Sequence, residues 1–353
     1  MALGAGDPLI IMERAEMIRR ALSFWLVSLL LPVLAAAPAR AGGKERVTAL
    51  EENDSLYFNS DRHYTQGVRF SYAGPDVVPG SAWNGPFDFL SGVPSLFEAS
   101  GARRYALILG QSIYTPKEIG LDPPDPADRP YAAWLYAGAG LLQETGKDRL
   151  ENAELLLGVV GPAALGREIQ NDYHQLIDAG RAKGWASQIG NEPGLMLTYE
   201  RFWRVSVPAT GGLLDVVPGA GATVGNIMTY GEIGALFRIG NALGADYGPA
   251  RVRPALSGTD YFDGDGLPGG FGYYVYGGAQ ARVVGVNIFL DGNSFRRSPS
   301  VDKKTFVADL QGGFALFWSD VVKFDFSVIR RSEEFDGQDG TDVIGTASAA
   351  FTW

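Results

Sequence analysis

The sequence predicts an all-β fold: a transmembrane antiparallel β-barrel of about twelve strands with a short helix in an extracellular loop. Three observations predict it. The N-terminus reads as an export signal, the exported remainder has no Cys but is rich in Gly and aromatics, and strand-length stretches alternate apolar with polar residues.

The export signal comes first in the chain. Arg19 and Arg20 precede the stretch 21–37, which is apolar apart from two serines and a proline and runs into Ala39-Arg40-Ala41. A basic start, an apolar middle and a small-x-small exit predict a secretory signal peptide at 1–41, cleaved near Ala41, with Met12 or Met17 as initiators better placed than Met1. The mature domain is then 42–353, which is 353 − 41 = 312 residues. The whole chain has net charge −10, and 1–41 carries four Arg against one Asp and two Glu, net +1, so the mature chain has −11. An acidic surface argues against a nucleic-acid partner. Beyond residue 41 there is no apolar run of the roughly 18 residues that a spanning helix needs. With 47 Gly, 12% aromatics and no disulfide available, the exported chain suits a barrel of the bacterial outer membrane.

Twelve strands are expected, at about 45–53, 64–74, 103–114, 131–145, 149–160, 194–206, 212–225, 228–240, 271–291, 303–319, 320–331 and 342–353. In the second, Val68, Phe70 and Tyr72 alternate with Gly67, Arg69 and Ser71. The eleventh sets Val322, Phe324, Phe326 and Val328 against Lys323, Asp325 and Ser327, a charged face that a lumen tolerates and lipid does not. The last sets Val343, Gly345, Ala347, Ala349, Phe351 and Trp353 on one face, ending on an aromatic at the rim. A soluble β-sandwich with one wet face is the competing fold. With the N-terminus inside, 54–63, 115–130 and 161–193 become outward loops. The long stretch 241–270 falls on the periplasmic side by parity. Its Asp260, Asp263 and Asp265 do not have the spacing of an EF-hand loop, so it reads as an Asp/Gly turn or as a sign of a miscounted strand.

The outward loops hold the polar residues. Glu51-Glu52-Asn53-Asp54 leaves the first strand, and Asp61-Arg62-His63-Tyr64-Thr65-Gln66-Gly67 enters the second. In 161–192 a short amphipathic helix puts Gln170 and His174 on one face and Leu165, Ile169, Tyr173, Leu176 and Ile177 on the other. Acid, amide, hydroxyl and imidazole groups converging on one rim point to a hydrolytic site. The bland alternatives are a solvated helix, a turn at Asn53-Asp54, an ordinary strand Thr65, a structural His63, and belt or loop-packing roles for Tyr114, Tyr131 and Trp185.

The segments ENDSLYFNSDRHYTQGVRFSY, GQSIYTP, DRPYAAWLYAG, GVVGPAALGREIQNDYH and GWASQIGNEP, in that order, resemble the lipid A 3'-O-deacylases, which are calcium-dependent outer-membrane barrels of twelve strands. The resemblance covers most of the mature chain and is most specific over 52–193. It implies an outer-membrane esterase that hydrolyses the 3'-linked acyl or acyloxyacyl chain of lipid A in lipopolysaccharide, with Ca2+ as cofactor; as the sequence indicates no oligomer, a monomer is the default expectation. In that scheme His174 is the base that activates water, and Gln170 orients the water or holds the ester. Asn53 and Asp54 orient His174 or help bind calcium, and Thr65 lies near the scissile ester. Two departures stand out. Where some members have a glutamate six residues after the histidine this chain has Gly180, leaving Asp178 or Glu192 to complete the metal set. The loop after the third strand is acidic, with Lys117 alone among Asp122, Asp125 and Asp128. The competing functions are a phospholipase-type barrel, for which no Ser follows either histidine at the needed spacing, and a porin or degenerate, inactive barrel.

Overall fold

The computed structural model describes residues 44–353 except 59–61, 95, 177, 257–260, 263–266 and 268–269. The expected signal segment, Asp61, Ile177, and the aspartates 260, 263 and 265 lie outside the described residues. Twelve long strands form one antiparallel sheet: β1 Arg46–Asn53, β2 His63–Ala73, β3 Ala102–Thr115, β4 Ala132–Thr145, β5 Arg149–Val160, β6 Glu192–Trp203, β7 Leu214–Gly225, β8 Met228–Gly240, β9 Phe271–Asn287, β10 Phe306–Trp318, β11 Val322–Arg331 and β12 Asp342–Thr352. Each pairs with the next, β6 continues past Arg204 as Val205–Ser206, and β1 pairs with β12 to close the barrel. Closure leaves no edge strand with open hydrogen bonds, as a sheet in lipid requires.

The two faces sort as the alternation predicts. Leu107, Leu109, Leu155, Leu157, Ile233 and Phe237 are exposed outward. The alternate positions fill the lumen with charge. Arg282 and Arg331 both bond Asp309, and Arg69 bonds Glu154. These ions are matched one against another, which is what makes charge tolerable away from water.

The described part of 241–270, residues 241–256 with 261, 262, 267 and 270, adds no strand to the barrel, and the aspartates of the expected Asp/Gly turn, Asp260, Asp263 and Asp265, lie outside the described residues. This described part folds into the lumen from the periplasmic end as a plug. Ala245, Asp246, Tyr247, Arg251, Val252 and Ala255 are all buried. Arg251 Nε donates to Glu52 Oε1 at 2.6 Å, and Arg253 bridges Glu154 (2.9 Å) and Glu200 (2.7 Å). Arg238 on β8 clamps Asp246 at 2.7 Å. The length that looks wrong for a periplasmic turn follows from this filling. A second periplasmic connection, 74–101, is also long and carries helix α1 (Gly85–Ser91). The outer loops carry α2 (Gly166–Leu176) between β5 and β6, and a short turn of helix, Ser55–Phe58, after β1.

Candidate active site

In a barrel the register decides which side chains meet lipid, and a row of polar residues there needs a cover. Asn53 pairs with Gln66 across β1 and β2, Gln66 with Ile113 on β3, and Val68 with Gln111. These residues share the outer face with exposed Leu107 and Leu109. Yet Asn53, Gln66 and Gln111 are buried, as is Glu51 two residues before Asn53. Something covers the wall at its extracellular end.

The cover is the loop after β5. Gln111 Nε2 donates to the Ala164 carbonyl at 2.6 Å, and Ala164, Ala182 and Trp185 pack against Ile113, Tyr131 and Ala133. Helix α2 starts at Gly166 because the approach is too close for a side chain: a Cβ there would lie 2.5 Å from Ala133 Cβ and 2.7 Å from Trp185 Cη2. From that contact the helix turns Gln170 and His174 to the buried side, while Leu165, Ile169 and Leu176 stay 47%, 39% and 49% exposed. The polar row is buried and the apolar stripe faces out, the reverse of a helix bathed in water.

Each expected site residue has a defined place. Gln170 Oε1 accepts from Trp185 Nε1 at 2.8 Å. His174 Nδ1 lies 2.5 Å from the Gly180 carbonyl oxygen. A carbonyl can only accept, so Nδ1 holds the proton and the basic nitrogen is Nε2. The glycine at the departing position thus orients the imidazole with its main chain. Asn53 Oδ1 accepts from Ser55 N (2.7 Å) and Ser55 Oγ (2.6 Å), and Asp54 Oδ2 from Arg62 N (2.5 Å). The turn reading of Asn53-Asp54 therefore holds alongside any chemical one. Thr65 occupies a β-bulge between Tyr64 and Gln66, and its Oγ1 lies 2.7 Å from Thr115 Oγ1. A bulge re-aims one side chain without breaking the ladder.

Asn53, Asp54, Thr65, Gln170 and His174 therefore belong to one sector of the outer rim, over β1 to β4. Two candidates stand apart. Asp178 is exposed beyond the end of α2, in the left-handed region (φ 58°). Glu192 opens β6 and spends its carboxylate on Asn293 Nδ2 (3.1 Å), Ser294 N (3.2 Å), Phe295 N (3.3 Å) and Asn226 Nδ2 (3.3 Å), pinning the β9–β10 loop. Among the described residues no three His, Asp or Glu side chains form a ready metal cluster. Hard oxygen donors are nevertheless present. Beside Asn53 and Asp54, Glu51 Oε2 is buried with no hydrogen-bond partner among the described residues, and Glu51 shares Asn53's face. An amide oxygen and two carboxylates fit a cation such as calcium.

Glu51 and Gln66 lie in the polar segments read from the sequence but without a role, and Gln111 is not singled out there; all three share the covered part of the wall. The clue was available: they are polar residues at lipid-facing register positions. The aromatic expectations resolve to packing rather than a belt. Tyr114 stacks on Phe289 at 4.1 Å, and Tyr131 lies 4.8 Å from Trp185. His63 is buried, with Nδ1 2.8 Å from Asp342 Oδ1 and Nε2 3.6 Å from Asp128 Oδ1, and joins two outer loops. Lys117, at the start of the acidic loop, pairs with Asp339 at 2.7 Å, and Arg129 at its end lies 3.4 Å from Glu334.

The family model described as outer membrane protein LpxR matches residues 22–353. The chain belongs to the LpxR family of outer-membrane proteins. Lipid A deacylation is the activity that membership in this family implies. Among solved structures, LpxR from Salmonella typhimurium is similar with a TM-score of 0.66 and 22% identity, over 87% of this chain and 99% of that one. The β domain of the Bordetella autotransporter BrkA gives 0.44 and 12%, over 88% and 99%. No curated protein matches the sequence.

Proposed function

We propose that this LpxR-family barrel is a calcium-assisted esterase, acting as a monomer, that removes the 3'-linked acyl or acyloxyacyl chain of lipid A by direct attack of water. One observation carries the reading: a histidine buried against the lipid-facing wall, with Nδ1 fixed on a main-chain carbonyl so that Nε2 is the base. A neutral imidazole suits this work near neutral pH. His174 Nε2 takes a proton from water as the oxygen attacks the ester carbonyl, and returns it to the departing sugar oxygen. One free acid and one sugar hydroxyl result, and no serine is needed. Gln170, held by Trp185, would orient the water or the ester, and the Thr65 hydroxyl, on the bulge beside Thr115, would lie near the scissile bond. Calcium, bound by Asn53 and Asp54 with Glu51 in reach, would polarise the carbonyl, a contribution worth several kcal/mol. The buried Glu51 Oε2 is what recommends the site for it, and Asn53 would have to exchange its Ser55 hydrogen bonds for the metal; Asp178 is the remaining candidate ligand, and Glu192 is taken by the β9–β10 loop.

The test is mass spectrometry of lipid A after incubation with detergent-folded protein, with calcium or a chelator, beside His174→Ala. A calcium-dependent loss of one 3'-acyl unit, absent in the variant, is expected. Intact lipid A in every arm, from protein shown to be folded, would refute the reading.

A further inference from the structure

The connection 74–101 does more than join two strands. It climbs the outer wall at the periplasmic end of β3 to β6 and covers a polar belt there. Arg103, Gln143, Glu151 and Arg201 stand on the same lipid-side register as Leu107, Leu155 and Leu197. Arg103 reaches Asn84 Oδ1 (3.0 Å) and Asp88 Oδ1 (2.7 Å), and its guanidinium lies 5.3 Å from the ring centre of Phe87. Glu151 accepts from the Glu98 amide at 3.1 Å, and Phe97 packs on Tyr199.

The segment has only three charged residues, all acids, and the barrel's arginines take each one: Asp76–Arg104 at 2.6 Å, Asp88–Arg103 at 2.7 Å, Glu98–Arg149 at 3.0 Å. Away from the wall it turns large apolar side chains, alongside the ion-paired carboxylates of Asp76 and Asp88, which stay partly exposed. Val78, Trp83 and Phe89 are 68%, 70% and 74% exposed. Trp83 sets its ring edge on Tyr105, whose hydroxyl donates to the Trp83 carbonyl at 2.6 Å. Two residues along β3 from Tyr105 the lipid-facing row begins at Leu107, so the exposed aromatics continue the barrel's lipid surface.

We infer that residues 74–101 form a collar seated in the periplasmic leaflet, with Trp83 and Phe89 inserted among phospholipids at the interface. Each acid is paired with a barrel arginine, the largest exposed side chains are aromatic and apolar, and the segment adjoins a surface already in lipid; paired charge beside exposed aromatics is what a headgroup-level position accepts. Tryptophan at the headgroup level is the usual solution at such a border. The polar belt beneath is thereby shielded from lipid that it could not face alone.

The absence of Cys makes the test direct. Trp83→Cys and Phe89→Cys, each labelled with an environment-sensitive fluorophore, are reconstituted in phosphatidylethanolamine/phosphatidylglycerol vesicles, with Ser300→Cys in an outer loop as the wet control. Folding is checked by heat-modifiable gel mobility, and having two separate positions guards against one variant misfolding. The expected result is blue-shifted emission at 83 and 89, quenched by shallow spin-labelled lipids and protected from aqueous iodide, with the opposite pattern at 300. Water-like emission and iodide quenching at 83 and 89 in folded protein would overturn the inference and leave the patch for a periplasmic protein partner. The readout is independent of deacylation.

Discussion

Gly166→Ala sets two effects against each other at the candidate site. Replacing a helical glycine by alanine favours the helix by about 0.5–1 kcal/mol. Against this, the new Cβ would lie 2.5 Å from Ala133 Cβ, where carbon atoms rest at about 3.5–4.0 Å. Ala133 sits on β4, hydrogen-bonded to β3 and β5, so the helix must move rather than the strand. A retreat of about 1 Å is needed, and overpacking on this scale costs about 1–3 kcal/mol. The steric cost therefore exceeds the propensity gain. Gln170 and His174 lie one and two turns further along α2 and move with it. A displacement of about 1 Å at catalytic groups costs on the order of 100-fold in rate, which equals about 2.7 kcal/mol of barrier. Initial rates of acyl release from lipid A in mixed micelles measure this, with gel mobility showing that the barrel is intact. An undiminished rate in a folded Gly166→Ala protein would refute the idea that close seating of α2 on the wall positions the histidine.

Other outcomes follow from the same geometry. Glu192→Gln should loosen the β9–β10 loop, losing charge-assisted hydrogen bonds worth about 1.5–3 kcal/mol each, and speed proteolysis there while leaving calcium dependence unchanged; a shifted calcium requirement would return Glu192 to the metal set. Arg253→Met removes the cation shared by two buried carboxylates, leaving Glu154 to Arg69 and Glu200 to Asn152, and should lower stability by up to about 3–5 kcal/mol, read as a lower temperature for the gel-mobility transition. Burial alone would raise the Asp128 carboxyl, but the hydrogen bond from His63 and the amides of Lys117 and Arg129 outweigh it and hold it below its ordinary value. Its contribution is therefore complete above the ordinary carboxyl value of about 3.9 and lost as pH falls through the lower folded value. On acidification from neutral pH, proteolytic resistance of loop 116–131 should hold until strong acid; a loss centred between pH 6 and 7 as pH falls would show that another group governs the loop.

The barrel was readable because lipid enforces period two on every strand. The paired readings at Val322–Val328 and Val68–Tyr72 depend on nothing beyond that alternation. The fold of 241–270 was not readable, since its partners Glu52, Glu154 and Glu200 lie far away in sequence and a plug has no periodicity of its own. At the site, His174 and Gln170 were visible from their spacing on one helix face. That this face turns inwards was not, because the rule for helices in water assigns the apolar stripe to the core. Glu192 shows the limit of residue type as a guide: an acid near the site in sequence serves instead to tie down a loop.

The plug has a consequence for the cell that carries it. Two cavities in the barrel measure about 10 Å³ each, room for a single water molecule. An outer membrane is a permeability barrier, and each open barrel added to it is a leak for salts and antibiotics. A lumen filled this way by the described residues of 241–270 separates the work of an outer-membrane barrel at its outer wall from the pore that the same sheet would otherwise enclose.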